Sequence, residues 1–347
     1  MVGALILATA VGGWFYRVPY YALLPGSALD TEGLIHVDGA EVHPSDGEIL
    51  YTTVRLRGRL RLWDYLWLQH RDDVEVLPQR SLLGDRDQEE NRQYNLQLMD
   101  NSKQVAVAVA LNELGYRVTE PTGVLVVNVV QGSAADGTLQ PGDLISAIDG
   151  TPVRKAEELV ASLAQRKPGD RVTLDVRAHD QADPAVPVRQ VTVQLGENPE
   201  RPGAVLLGIG TATQVAFQEL PFDVAIDTGD VGGPSAGLAF TLAVLDDLTP
   251  GDLTGGADVA VTGTIRVDGT VGPVGGVPQK AAAVREAGVR VFLVPQSLGE
   301  PVLDEVRQRA GPGVQVVPVA TVDDAIHALS SIGGDLQGLA AGATPTS

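Results

Sequence analysis

Hydrophobic and polar positions follow a different period in each part of the chain. Residues 48–56 alternate between the two kinds, which predicts a half-buried strand. Residues 85–114 contain neither proline nor glycine and become rich in Ala, Val and Leu, which predicts one long helix. Residues 123–195 hold short apolar stretches between glycine-rich turns, and 155–165 has helical spacing. We expect a compact β-rich unit there.

Beyond residue 204, strand-like and helix-like stretches alternate, an order typical of an α/β domain. The predicted strands are 222–227, 257–265, 291–294 and 314–317, and the predicted helices are 235–248, 280–287, 302–309 and 322–330. Residues 333–347 are small and polar, and we expect a disordered tail. The predicted fold class is α+β or α/β with several domains.

The amino-terminal residues 2–16 carry no charge, but these fifteen residues are fewer than the ~20 that usually span a bilayer. Five aromatic residues lie at the end of this stretch and just beyond it, as in the aromatic belt of a membrane interface: Trp14, Phe15, Tyr16, Tyr20 and Tyr21. We therefore predict a membrane anchor over residues 1–24, in a single-pass protein of the cell membrane with an extracytoplasmic body. A cleaved signal peptide and a buried core helix are the alternatives.

Composition narrows the classes of function. The chain has 44 acidic and 25 basic residues and a formal charge of −19. This balance argues against nucleic-acid binding and disfavours adhesion to anionic lipid headgroups. Because there is no cysteine, disulfides, thiolate catalysis and Cys-ligated zinc are excluded. The five histidines lack metal-ligand spacing, so no metal site or cofactor is predicted.

A glycine-rich turn around Ser235 is the first candidate for chemistry. The turn includes Gly232, Gly233, Ala236 and Gly237 and lies between a predicted strand and a predicted helix. Free N–H groups at a helix start suit the oxyanion of acyl transfer, and small residues let a substrate approach the serine. The simpler interpretation is that Ser235 only caps the helix.

A catalytic serine needs a base, and Lys280 is the only lysine after Ser235. An apolar, glycine-rich stretch, residues 271–279, leads to it and could bury it at a helix start. Burial and the positive helix end would both lower the pKa of the amine from ~10.4. The alternative is an exposed surface lysine, the usual state of this residue.

Three segments together resemble the proteolytic domain of the Lon family of serine proteases: 233–237 (Gly-Pro-Ser-Ala-Gly), 261–265 (Val-Thr-Gly-Thr-Ile) and 274–280 (Val-Gly-Gly-Val-Pro-Gln-Lys). The resemblance implies that Ser235 is the nucleophile and Lys280 the general base. It also implies that Thr262 orients the lysine amine. Cytosolic Lon proteins commonly carry Lys-Asp-Gly before the Pro-Ser, whereas Val231-Gly232-Gly233 stands here.

Residues 123–195 resemble a PDZ domain of the bacterial protease type. The matching segments are Gly-Val-Leu-Val at 123–126, Gly-Ser-Ala-Ala at 132–135, Leu-Gln-Pro-Gly-Asp-Leu-Ile at 139–145 and Ile-Asp-Gly at 148–150. PDZ domains bind extended peptides by strand addition. The resemblance implies a groove between the strand of Val124 and Leu125 and the helix of Leu159 and Leu163. These leucines could equally be core residues.

The whole chain therefore resembles the membrane-anchored, PDZ-containing Lon-like proteases of Gram-positive bacteria. The predicted domains are an anchor at 1–24, strands and a long helix at 25–115, a PDZ domain at 116–197, a Lon-type proteolytic domain at 204–331 and a tail at 332–347. We expect the strands near 48–56 to complete the protease domain, with the PDZ domain inserted. None of the lysines stands in a phosphate-binding Gly-x-x-x-x-Gly-Lys frame, so peptide hydrolysis without ATP is predicted. The expected partners are protein or peptide substrates and the membrane, without nucleic acid or nucleotide.

Two other functions remain open at this point. Gly233-x-Ser235-x-Gly237 also fits the nucleophile turn of α/β-hydrolase esterases, for which His327 would be the base. The chain could instead be a non-catalytic PDZ receptor with an inactive protease-like body.

Overall fold

The computed structural model describes residues 14–84, 86–178, 188–199, 201–220, 222–335 and 337. The chain forms two compact units. Unit 1 contains the chain up to Tyr116 and again from Leu220, and unit 2 contains Arg117–Glu219. Most of the predicted anchor lies outside the described residues. Within the described part of the chain, no helix has the length and apolar character needed to cross a membrane.

The strands, in chain order, are β1 Tyr20–Asp30, β2 Ile35–Asp38, β3 Ile49–Arg57, β4 Glu75–Pro78, β5 Thr119–Val129, β6 Leu144–Ile148, β7 Thr151–Pro152, β8 Arg171–Arg177, β9 Arg189–Gln194, β10 Gly196–Glu197, β11 Val205–Leu206, β12 Ile209–Phe217, β13 Asp223–Ile226, β14 Val259–Val261, β15 Thr264–Ile265, β16 Val271–Gly272, β17 Val291–Pro295 and β18 Gln315–Val319. The helices are α1 Leu62–Leu68, α2 Gln79–Leu83, α3 Gln88–Glu113, α4 Ala156–Ala164, α5 Gly237–Leu248, α6 Val277–Ala287, α7 Glu300–Ala310 and α8 Val322–Ser331.

Unit 1 is built around a mixed sheet in the order β18-β17-β14-β3-β1-β4. The four strands from β18 to β3 run parallel, and β1 pairs antiparallel with both β3 and β4. Leu50 of β3 lies opposite Ala260 of β14, so a strand from before unit 2 and a strand from after it are neighbours in one sheet. The two inner parallel strands, β14 and β17, are apolar and buried throughout, as expected of strands that are covered on both faces.

The long helix α3 packs against α5 in unit 1. It starts at Gln88 rather than near Asp85, because the Asp87 carboxylate accepts from the Glu90 N–H and the Glu90 carboxylate accepts from the Asp87 N–H. Its carboxyl-terminal half, from Val105 to Leu111, is buried. The helix therefore belongs to unit 1, beside the Ser235 turn.

Unit 2 contains a sheet in the order β12-β5-β6-β8-β9 and the helix α4. Its core is formed by apolar residues of the sheet together with Leu159 of α4. β12 pairs antiparallel with β5 over its full length, from Ile209 opposite Val129 to Phe217 opposite Thr119. The strand β12 therefore lies in unit 2, although the sequence placed residues from 204 onward in the protease domain. The division falls after Glu219 because this ladder continues to Phe217.

Three further predictions need adjustment. The predicted strand 257–265 is interrupted between β14 and β15: the Thr262 N–H still donates to Leu293 O of β17, but the Gly263 N–H and the Thr262 hydroxyl both donate to Ser235 O. The predicted strand 222–227 does not join the main sheet, since β13 pairs with β2. The expected tail begins later than Gly333, because the Gly334 N–H donates to Leu329 O and the Asp335 N–H to Asp252 O. Residues from 338 onward lie outside the described part.

Candidate active site

The Ser235 turn lies between β13 and α5. Residues Pro234–Ala236 form a single 3-10 turn, and α5 begins only at Gly237, with Ala236 as its N-cap. No side-chain capping bond is made at either start, so Ser235 is not the helix cap that the simpler interpretation required. The Ser235 side chain instead faces a cleft, where its oxygen meets the amine of Lys280.

Lys280 is almost completely buried, with 1% of its surface exposed. It sits in the first turn of α6, and its Nζ donates to Ser235 Oγ at 2.8 Å and to Thr262 Oγ1 at 2.8 Å. None of the ion pairs among the described residues involves this amine. Burial without a counter-charge lowers the pKa of Lys280 to about 7. A surface lysine would have neither property.

Thr262 connects the serine and the lysine. It is fully buried in the break between β14 and β15, and its Oγ1 donates to Ser235 O at 3.2 Å while accepting from Lys280 Nζ. The Gly263 N–H also donates to Ser235 O, at 3.0 Å. The backbone of Ser235 is therefore held from one side by two consecutive residues of the interrupted strand.

The helix α3 holds the same turn from the other side. The Gly233 N–H donates to Asn95 O at 2.8 Å, and Ser102 Oγ donates to Pro234 O at 3.1 Å. Gly237 permits this approach, because a Cβ there would lie 2.7 Å from Ser102 Oγ. Asn95 and Ser102 are positioning residues that the sequence did not reveal. Ser102 lies 132 positions from the carbonyl that it binds, and no local motif connects them.

Gly276 fixes the start of α6 and so the position of Lys280. Its φ is 68°, a left-handed conformation that favours glycine, and it is the N-cap of the helix. A Cβ at Gly276 would lie 2.9 Å from side-chain atoms of Leu23 and Val54. The glycine therefore lets the first turn of α6 rest against β1 and β3, and the Lys280 N–H then donates to Gly276 O at 3.0 Å.

The four residues predicted for the oxyanion site behave differently from one another. The N–H of Gly233 donates to Asn95 O, and the N–H of Gly237 donates to Pro234 O. In this conformation these two amides already donate to carbonyl oxygens, one of α3 and one of the turn itself. Gly232 and Ala236 therefore remain the candidates for the oxyanion role among the predicted set.

The cleft in front of Ser235 has a volume of about 700 Å³. Its walls come from β1, β3, α3 and the segments 230–236 and 275–280. A second cavity of about 430 Å³ shares Val54, Asn95, Asp230 and Gly232 with the cleft and continues along α3. The Arg92–Asp230 ion pair, 2.7 Å long, closes its edge.

Other candidate groups lie away from this cleft. His327 is exposed on α8, and its Nδ1 is 2.7 Å from Asp323 O of the same helix. It does not line the cleft, and no histidine is among the described residues that do. A search of the described residues finds no group of His, Asp or Glu side chains arranged to hold a metal ion.

Unit 2 has a groove of its own, of about 370 Å³. We call it the α4–β12 groove; it is lined by Leu159, Val160 and Leu163 of α4 and by residues 203–209 and Thr211. Among the described strands, β12 pairs only with β5 and so forms an edge of the sheet beside this groove.

Comparison with known proteins identifies both units. The sequence profile of the Lon protease (S16) C-terminal proteolytic domain matches residues 213–331, and that of the PDZ domain matches residues 97–188. The chain contains a Lon-type proteolytic domain and a PDZ domain. A serine peptidase is the activity that these matches support.

The related proteins include the Lon protease of Lachnoclostridium phytofermentans, 38% identical over 33% of this chain and 14% of that protein. The Lon protease of Phenylobacterium zucineum is 31% identical over 57% of this chain and 24% of that protein. The chain thus spans at most about a quarter of the length of these relatives. Similar solved structures include the PDZ domain of an SdrC-like protein from Listeria monocytogenes, at 25% identity, 26% of this chain, 87% of that chain and a TM-score of 0.23.

The boundaries of the two matches differ from those of the structural units. The PDZ match begins within α3, which packs in unit 1, and the Lon match begins within β12, which pairs in unit 2. The structure therefore assigns β1, β3 and α3 to the Lon-type unit, beyond the matched residues. The predicted membrane anchor and the Gram-positive kind stay predictions.

The peptide-binding residues predicted for the PDZ domain need correction. Val124 is fully buried, and its strand β5 lies between β12 and β6, so no peptide can add to it. Leu125 shares this interior strand, and Leu159 is 1% exposed in the core. Both Leu159 and Leu163 nevertheless line the α4–β12 groove.

Proposed function

We propose that the chain is a serine endopeptidase in which Ser235 is the nucleophile, Lys280 the general base and Thr262 the residue that orients the lysine. One observation carries this proposal: the buried Lys280 amine lies 2.8 Å from both Ser235 Oγ and Thr262 Oγ1. Hydrogen-bond distance to the nucleophile and a pKa near the working pH are the two requirements of a general base.

The first half of the reaction follows from this geometry. With its pKa lowered to about 7, the Lys280 amine is substantially unprotonated at neutral pH and has a lone pair for the Ser235 proton. Ser235 Oγ attacks the peptide carbonyl, and the proton passes to Lys280. The amides of Gly232 and Ala236 are our candidates to stabilise the oxyanion. Protonated Lys280 then donates the proton to the leaving amine.

The second half repeats these roles with water. Water enters the cleft after the amine product leaves and loses a proton to Lys280 as it attacks the acyl ester on Ser235. Breakdown of the second tetrahedral intermediate returns the proton to Ser235 and releases the acid product. Thr262 holds the amine in place throughout, because its own hydroxyl proton is committed to Ser235 O.

The shape of the cleft favours a polypeptide substrate. The cleft at Ser235 adjoins the second cavity along α3, and we expect the two together to accommodate several residues of an extended chain. We further propose that the PDZ domain captures substrate segments in the α4–β12 groove, where an extended peptide would add to the edge strand β12.

A fluorophosphonate probe and a fluorogenic peptide series test the proposal together. We expect both labelling and hydrolysis in the wild type, in buffer without ATP, and neither in Ser235→Ala. His327→Ala is the matched control and should keep full activity, since His327 lies outside the cleft. Loss of activity in His327→Ala would support the esterase mechanism. A folded wild type that neither reacts with the probe nor hydrolyses any peptide would establish the non-catalytic receptor.

The location of the enzyme is proposed from the sequence alone. The uncharged residues 2–16 motivate a membrane anchor with the body outside the cytoplasm. A phosphatase reporter fused to the carboxyl terminus should be active outside the cytoplasm, and a cytoplasmic reporter signal would disprove the orientation.

A further inference from the structure

All three tryptophans of the chain are exposed, and all lie in one region of unit 1. Trp14, Trp63 and Trp67 expose 56%, 41% and 59% of their surfaces. Tryptophan is on average a highly buried residue, so three exposed rings in one region are unusual for a surface that faces only water.

The backbone brings these rings together from two separate segments. The Leu62 N–H donates to Tyr16 O at 3.0 Å, and the Val18 N–H donates to Leu60 O at 2.9 Å. The start of α1 therefore lies beside residues 14–18. These bonds make one surface from the aromatic residues 14–16 and the helix α1.

The helix α1 is apolar on both of its faces. Trp63, Leu66 and Trp67, at positions i, i+3 and i+4, share one face and are exposed. Leu68 is fully buried in a small core with Leu60. The inner face thus already has its packing partners within unit 1, and the outer face presents three large apolar side chains to its surroundings.

The same region is basic, in a chain whose formal charge is −19. Residues 55–61 have the sequence Arg-Leu-Arg-Gly-Arg-Leu-Arg, with four arginines and no acidic residue. The Arg61 guanidinium lies 4.9 Å from the ring centre of Trp14, and that of Arg71 lies 5.2 Å from the ring centre of Trp67. Asp64 offsets the charge of Arg57 through a 3.1 Å ion pair, and Asp73 offsets that of Arg71, so Arg17, Arg59 and Arg61 carry the net positive charge.

We propose that this aromatic–arginine surface docks unit 1 onto an anionic lipid bilayer. It consists of Trp14, Phe15, Tyr16, Trp63, Leu66 and Trp67, with Arg17, Arg57, Arg59 and Arg61. Amphipathic rings partition into the headgroup layer, and guanidinium groups bind lipid phosphates. The composition of the whole chain disfavours anionic lipids, but the arginines are concentrated where the rings are exposed.

Charge complementarity selects a bilayer as the partner. A second copy of this chain carries the same four arginines at this surface, and two such surfaces face to face would repel each other. A bilayer instead offers a phosphate layer for the arginines and an apolar layer for the rings. In the sequence, the uncharged residues 2–13 directly precede Trp14.

Tryptophan fluorescence tests the proposal without labels, because every tryptophan belongs to this surface. In Trp14→Phe, all tryptophan emission comes from Trp63 and Trp67 on α1. The full chain carrying this change is reconstituted into vesicles of phosphatidylcholine and phosphatidylglycerol, with and without brominated acyl chains. We expect a blue-shifted emission that brominated lipid quenches. A water-like emission that brominated lipid leaves unchanged would overturn the proposal.

A second pair of variants tests the role of charge. In the Trp14→Phe background, Arg57→Gln with Arg59→Gln should weaken docking roughly fivefold for each arginine removed, seen as reduced quenching. Arg266→Gln with Arg290→Gln makes the same charge change at two exposed arginines elsewhere in unit 1 and should leave the quenching unchanged. Equal loss in both pairs, or in neither, would contradict the assignment to this surface.

Two further outcomes separate this inference from its alternatives. A blue shift that depends on protein concentration in detergent without lipid would indicate pairing of two copies and would overturn bilayer docking. In the Trp14→Phe background, adding Ser235→Ala should leave the quenching unchanged, since docking does not require hydrolysis. Failure of the peptidase proposal and failure of the docking proposal are therefore read from different experiments.

Discussion

The cleft of unit 1 and the α4–β12 groove of unit 2 are both open to a polypeptide, but they are built in opposite ways. At the cleft, the decisive atoms are polar and buried: Ser235 Oγ, Lys280 Nζ and Thr262 Oγ1 lie within 3.2 Å of a bonded partner. In the groove, the walls are apolar side chains of α4 and the backbone of an edge strand.

This difference fits the roles that we propose for the two regions. Proton transfer needs fixed distances and a desolvated amine, so the cleft takes its groups from chain segments that hold one another in place. Capture of a peptide by strand addition needs an unpaired edge and apolar contacts that tolerate many sequences. Substitutions in the two regions should therefore change different kinetic parameters.

The largest expected effect is at Lys280. Lys280→Met keeps most of the side-chain volume but removes the base, and we expect kcat for a fluorogenic peptide to fall by about 10²–10⁴-fold. The unfolded amine keeps its usual pKa of 10.5, whereas the folded one is about 7, so the unfolded state binds more protons between these values. Burial of this amine therefore lowers the free energy of unfolding, and the loss is largest at pH 7 and below.

The same variant should consequently unfold at a higher temperature than the wild type when both are scanned at pH 6, and the difference should shrink as the pH rises toward 10.5. A variant that is inactive and also less stable at pH 6 would indicate that Lys280 is needed for packing alone. Arg285→Met, on the exposed end of the same helix, is the control for a generic loss of charge.

The pH profile should give the next largest effect. Since the Lys280 amine must be unprotonated to accept a proton and its pKa is lowered to about 7, kcat/KM should rise about tenfold per pH unit below 7 and level off above it. Activity at pH 5 should be roughly a hundredfold below the plateau. Circular dichroism at each pH checks that the fold persists, and a flat profile would contradict the assignment of the base.

A smaller loss is expected at Thr262. Thr262→Val is nearly isosteric but leaves Lys280 Nζ with one hydrogen-bond partner instead of two, so kcat should fall roughly tenfold to thirtyfold with little change in KM. Thr262→Ser restores the hydroxyl and should recover most of the activity. If both variants lose activity equally, the methyl group rather than the hydroxyl is what matters there.

The groove should give the smallest effect, and on a different parameter. Val160 is 58% exposed beside the groove, and Val160→Asp should raise KM for an unfolded protein substrate about fivefold to tenfold while leaving hydrolysis of a short peptide unchanged. Val127→Asp is the matched control, since Val127 is 53% exposed in unit 2 but does not line the groove. An equal change in both variants would show that the groove does not capture substrate.

The sequence revealed the groups at the cleft better than those at the groove. Only one lysine follows Ser235, and an apolar, glycine-rich approach to a charged residue is a strong indication of a buried amine. The structure brings Ser235, Lys280 and Thr262 together. The supporting contacts of Asn95 and Ser102 were not predictable, because α3 is remote in sequence and its polar residues look like those of any solvated helix.

The groove was misplaced for a related reason. A strand at the edge of a sheet and a strand at its centre can have the same alternation, and Val124 and Leu125 were assigned to the edge on the local motif alone. The strand that takes the edge, β12, arrives about eighty residues later, and its pairing with β5 depends on a ladder that no local pattern contains. Because the pairing of β12 with β5 was not predictable, the sequence placed the start of the protease domain at 204, whereas unit 1 resumes at Leu220 in the structure.

That ladder has a consequence for how the protein can be altered. Thr119 and Phe217 are cross-strand neighbours, so the chain leaves unit 2 a few ångströms from where it entered. A two-residue turn such as Asn-Gly could join the two ends and delete everything between them. The segment between these two residues could therefore be exchanged for another recognition domain, whose two ends would be joined to the chain at Thr119 and Phe217.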